Sequence, residues 1–124
     1  MLVAAAVAPH PPLLIPEVGS GAAAELDDLR SAAVDAVRDL VRSRPDLLVV
    51  VGGAAAAAAF GAGAAGTMSG FGVDLRTQLP GDAVVSPGEP VVDSTRLPLS
   101  LTVGAWLLTQ AEWSGSVEGH AIAD

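Results

Sequence analysis

Residues 45–53 read PDLLVVVGG, and the apolar run Leu47-Leu48-Val49-Val50-Val51 at their centre decides the fold class. A run this short, rich in β-branched residues and closed by two glycines, is a strand buried on both faces rather than a helix. Upstream, Leu26, Leu29, Ala33, Val37, Leu40 and Val41 recur at helical spacing, while Asp27, Asp28, Ser31, Asp35, Arg38 and Arg42 fall mainly on the other side. That pattern predicts a helix over 22–43. Further upstream, LVAAAVA at residues 2–8 is a second unbroken apolar run, read as the first strand. Strand, long helix, strand is a βαβ unit, and the length of the crossover makes the two strands parallel. The expected architecture is α/β: a three-layer-type sheet with a βαβ start and helices on both faces.

Between the first strand and the helix, Pro9, Pro11, Pro12 and Pro16 impose an extended, non-helical path, since each fixes its own φ and moves its predecessor out of the α region. Ser20, between two glycines, is the expected N-cap. Beyond Gly53, residues 54–60 fit one or two helical turns, and GAGAAGTMSGFG at 61–72 reads as a mobile loop. Order resumes weakly over 72–79 and 83–85, and Asp93-Ser94-Thr95 offers a cap to an amphipathic helix over 97–110 with Pro98 in its first turn. Residues 117–123, which hold His120, read as the last strand. Their apolar alternation runs straight to Asp124, so the expectation is one α/β domain over 1–124 that forms the N-terminal portion of a longer one. A last strand with an open edge also predicts a homo-oligomer.

Composition narrows the function classes. The chain has 124 residues, enough for one domain, and 51% of them are hydrophobic with only 3% aromatic, so the core is expected to be thin and alanine-rich. The absence of cysteine removes disulfides, thiolate metal sites and thiol nucleophiles together. All six basic residues are arginine against fourteen carboxylates, a formal charge of −8, which argues against binding nucleic acid or an anionic membrane. No positive residue precedes Arg30, so the N-terminus does not read as a secretory signal and the expected location is cytoplasmic. No apolar stretch approaches the roughly 20 residues of a membrane-spanning helix.

Few residues carry chemistry. Gly61, Gly63 and Gly66 fit G-x-G-x-x-G, but a dinucleotide site needs a strand immediately before the motif and a helix at its end, and neither is read there. A Walker loop is excluded by the lack of lysine, and no G-x-S-x-G nucleophile elbow occurs. Asp27, Asp28, Asp35 and Asp39 lie on the solvated helix face, whereas Glu17, in the proline loop, either orders that loop or approaches a metal. His10 sits two residues past the first strand, at the edge where α/β sheets bind ligands, on a backbone stiffened by prolines. It is a metal ligand or acid/base, or else it caps the strand end with a hydrogen bond. His120 either shares that edge with His10 or is a buried, satisfied core histidine.

The run into PHPPLLIPEVG, the long helix and then PDLLVVVGG resemble the start of the class III extradiol ring-cleavage dioxygenases, the superfamily of the protocatechuate 4,5-dioxygenase β subunit, and in particular its alanine-rich actinobacterial branch. The resemblance covers most of the chain, with PHPP and its flanks as its specific core. It implies a non-haem Fe(II) held by His10, an acid/base role for His120, and a small aromatic diol as ligand. It also implies a second ligand histidine after the strand at 47–51, where this chain has Gly52 and Gly53, and a glutamate ligand from a C-terminal half. Gly119 and Ala121 depart from the D-H-G segment that surrounds the acid/base histidine. A facial triad needs two histidines and a carboxylate. The expectation is therefore a dioxygenase-like protein with a degenerate iron site and no ring-cleavage activity, the alternatives being an active dioxygenase or a module that binds a small molecule or protein.

Overall fold

The computed structural model describes residues 1–80 and 96–124. In chain order the elements are a short helix α1 (Pro16–Gly19), the long helix α2 (Asp27–Arg42), the strands β1 (Leu47–Ala54), β2 (Ala58–Phe60), β3 (Ala65–Thr67) and β4 (Arg76–Gln78), the helix α3 (Leu99–Gln110) and the strand β5 (Ser116–Ala123). β1, β5 and β2 form a mixed sheet in that order, and β3 and β4 form a separate antiparallel ribbon. β5 runs parallel to β1, with Leu48 opposite Val117, Val50 opposite Gly119 and Gly52 opposite Ala121. Helices and a mixed sheet make the fold α/β.

The sheet packs against α3, whose sequence LSLTVGAWLLTQ carries no charge. A helix apolar all round is a buried helix, and Ser100–Val103 and Ala105–Leu108 are buried accordingly. Leu101 and Val103 are completely enclosed, and burying each contributes about 1.5–3 kcal/mol. α3 meets β1 and β5 on one side, the β3–β4 ribbon on another and α2 on a third. Two of its hydroxyls are absorbed locally, Thr102 Oγ1 donating to the Pro98 carbonyl at 2.9 Å and Thr109 Oγ1 to the Ala105 carbonyl at 3.0 Å, while Thr77 Oγ1 of β4 donates to the Thr102 carbonyl at 3.0 Å.

Several expectations need correction. Residues 2–8 form no strand: they have no regular structure, with Leu2 83% and Val7 98% exposed. Four of the seven are alanines, which bring little surface to bury and leave the segment weakly held. The parallel pair is consequently β1 with β5. The proline loop is not extended throughout, because Pro12–Leu14 is a 3₁₀ turn and Pro16 opens α1. Proline at the first positions of a helical turn suits its fixed φ, and its missing N–H is not needed there. Ser20 does not cap the long helix; it lies at φ 46° after α1, Ser20–Leu26 winds as 3₁₀ helix, and α2 begins at Asp27.

Downstream, the helical turns expected over 54–60 are replaced by β2, and the loop expected over 61–72 contains β3. Gly66 explains the second difference, since a Cβ there would stand 2.8 Å from the Thr102 Cβ, and only glycine lets the ribbon lie flat on α3. α3 starts at Leu99, after Pro98, and is not amphipathic. The readings at 83–85 and 93–95 lie outside the described residues. Among those residues no helix covers the other face of the sheet, where Leu47, Val49, Val51 and Ile122 remain 45–59% exposed.

Candidate functional site

The proline loop is positioned from its C-terminal side. Leu14 and Ile15 are fully buried, which plants the chain in the core four and five residues after His10. Arg30 of α2 reaches across to it: Nε donates to the Leu14 carbonyl at 2.6 Å and Nη2 to the Ala23 carbonyl at 3.2 Å. Its Nη1 pairs with Asp27 Oδ1 at 2.6 Å, and the guanidinium side chain is only 13% exposed. An arginine fork is suited to this task because its donors lie in one rigid plane. His10 itself stays at the surface, before the anchored segment.

His10 lines a crevice of about 190 Å³ between the start of the chain, β1, α2 and α3, together with Pro9, Gly52, Ser100 and Gly104. The crevice runs along β1 from Leu48 to Gly52, toward the carboxyl end, where α/β sheets bind their ligands. Of the two glycines that end this run of β1, Gly52 lies in the crevice wall and Gly53 does not. A Cβ on Gly52 would fall 2.6 Å from the Ser100 Cβ, and one on Gly53 would fall 2.6 Å from Asp124 Oδ2. Ser100, in the first turn of α3, is buried and donates its hydroxyl to the Gly53 carbonyl at 2.8 Å. The Asp124 amide donates to the Ala54 carbonyl at 3.2 Å, which holds its carboxylate beside the same strand end.

His120 lies elsewhere. Val117, Gly119 and Ala121 of β5 are buried toward α3, so the intervening Glu118, His120 and Ile122 face the other way. There His120 stands opposite Val51 and Ala59, on the uncovered face of the sheet. Its Nε2 meets Glu118 Oε2 at 3.3 Å, and the two side chains are 45% and 53% exposed. The structure thus places His10 in a crevice that Gly52 and Ser100 also line, whereas His120 pairs with Glu118 and does not line it. Glu17 is exposed in the first turn of α1, and Asp74 is exposed before β4.

No family model, curated protein or solved structure matches this chain. Among the described residues, no three histidines, cysteines or carboxylates gather closely enough to hold a metal ion, and no helix is long and apolar enough to cross a membrane. The described residues do not fit a facial-triad iron: His10 lines the crevice, His120 pairs with Glu118 outside it, and Gly52 brings no side chain to the strand. Sequence reading missed Ser100 and Asp124. The available signal was the glycine pair after β1, which marks a place where other side chains approach the backbone closely.

Proposed function

We propose that this chain is an extradiol-dioxygenase-like α/β protein with a degenerate iron site, acting by binding rather than by ring cleavage. The observation that carries this reading is Gly52. It stands where the resemblance calls for the second ligand histidine, and the Ser100 side chain fills the space that any side chain at that position would need. With His10 as the single imidazole at this strand end, a divalent cation has too few donors for the three-sided coordination that ring cleavage requires. What the site does offer is a small, mostly apolar recess with an exposed imidazole at its mouth, which suits recognition more than redox chemistry.

The test is reconstitution with Fe(II) under anaerobic conditions, followed by metal analysis and oxygen uptake on protocatechuate. The expected result is well under one iron per chain, no change in that ratio for His10→Ala, and no uptake above the protein-free control. One tightly held iron per chain together with oxygen consumption would refute the reading.

A further inference from the structure

We propose that residues 2–8 are a movable strap that docks on β1 as a fourth, parallel strand and closes the crevice beside His10. The inference does not depend on the proposed function. β1 stands at the end of the order β1-β5-β2, so along Leu47–Ala54 every second N–H and C=O points away from β5 toward no other strand among the described residues. An uncharged edge of this kind, LLVVVGGA with neither lysine nor proline to guard it, recruits another strand.

The segment beside that edge is residues 1–8. It shares a cleft of about 840 Å³ with residues 43–49 and Val51. Its direction can be read from the two cavities: Met1 to Ala5 face the cleft that also includes Pro45 and Asp46, whereas Pro9 and His10 face the crevice that includes Gly52. The strap therefore runs in the same sense as β1. Seven residues in extended form reach about 23 Å and the eight of β1 about 26 Å, so the lengths match. Val3 and Val7, which share one face of an extended strand, are 55% and 98% exposed, and Leu47, Val49 and Val51, which share one face of β1, are 45%, 47% and 59% exposed. Docking lays one exposed apolar row beside another and satisfies both backbones at once. Ala6, Ala8 and Pro9 also form one wall of the His10 crevice, so docking narrows it and release opens it. The hinge lies between Pro9 and Leu14, because Leu14 and Ile15 are fixed in the core.

The experiment is residue-resolved amide hydrogen exchange on the full chain, with Ala4→Pro and Ala5→Pro as variants, one of which removes a ladder donor whichever register the strap takes. In the unmodified chain the β1 amides pointing away from β5 and alternate amides of 2–8 should exchange at least about tenfold slower than in unstructured peptide. In one of the two variants both sets should rise to the unstructured rate while the β1 amides that face β5 keep their protection, which verifies that the domain remains folded. Unprotected outward amides in the unmodified chain, or protection that survives both substitutions, would overturn the proposal. Protection that disappears on dilution together with a dimeric mass would overturn it too, by assigning the added strand to a second copy.

Discussion

Gly52→Ala adds a single methyl group to the strand that lines the His10 crevice. The new carbon would stand 2.6 Å from the Ser100 Cβ, an atom that cannot rotate away because it is fixed to the backbone of α3. Relief requires α3 to shift from β1, and overpacking of this kind costs about 2 kcal/mol. At roughly 4 °C per kcal/mol for a domain of this size, the melting temperature should fall by about 8 °C. Ser100→Gly should cost about as much, for a different reason: it loses the 2.8 Å hydrogen bond to the Gly53 carbonyl, worth about 1 kcal/mol, and places glycine in a helix, worth about another 1 kcal/mol. In the double variant, however, the methyl group enters the space that the Ser100 side chain has left. Its total cost should be about 2 kcal/mol rather than the additive 4, a coupling of about 2 kcal/mol. Urea unfolding of the four proteins under identical conditions measures this cycle. Costs that add to within about 0.5 kcal/mol would show that Gly52 and Ser100 are not in contact, and the steric argument against a side chain at the strand end would fail with them.

Arg30→Ala should destabilise by about 3 kcal/mol, since charge-assisted hydrogen bonds to two carbonyls are lost and one of them belongs to the fully buried Leu14. Arg30→Lys should recover less than half of that in urea unfolding, because an ammonium lacks the planar fork; a loss below about 1 kcal/mol for the alanine variant would refute the anchoring role. Glu118→Gln should change stability by less than about 0.5 kcal/mol, as expected for a pair that is about half exposed on both sides. A larger loss in the same assay would mean that the outer face of the sheet is covered in solution.

The elements legible in the sequence are those whose side chains state their own burial. The spacing of Val37, Leu40 and Val41 identified α2, and the runs at 47–51 and 117–123 identified β1 and β5, although the expectation that 47–51 is buried on both faces fails because Leu47, Val49 and Val51 lie on an exposed one. α3 was placed correctly but misread as amphipathic: Ser100 and Thr102 resemble a polar face until Gly53 and Pro98 are seen accepting their hydrogen bonds. β2 and β3 were hidden for the opposite reason. Ala58-Ala59-Phe60 and Ala65-Gly66-Thr67 have little intrinsic strand preference, and they become strands because β5 and β4 supply ladders and Thr102 demands a glycine beneath it. At the site, the proline loop pointed to His10 from local sequence alone. The contact that defines its surroundings, Ser100 with Gly53, spans 47 residues and leaves no local trace beyond the glycines.

Those glycines connect the fold to the function. In an α/β sheet the carboxyl end of a strand is where a ligand-bearing side chain is ordinarily presented. Here the end of β1 presents backbone: the Ser100 side chain from α3 packs over Gly52 on one face, and Asp124 lies beside Gly53 on the other. The packing that holds α3 onto the sheet is thus the same packing that excludes a second imidazole. A protein under pressure to keep a metal would gain little from so close a helix–strand contact at that point. A protein that needs a firm seat for α3 beside a small recess gains from it directly, since every atom at Gly52 would push the helix away. His10 lies at a recess walled on one side by β1 and α3 and on the other by Ala6, Ala8 and Pro9, of which Ala8 also packs against the core.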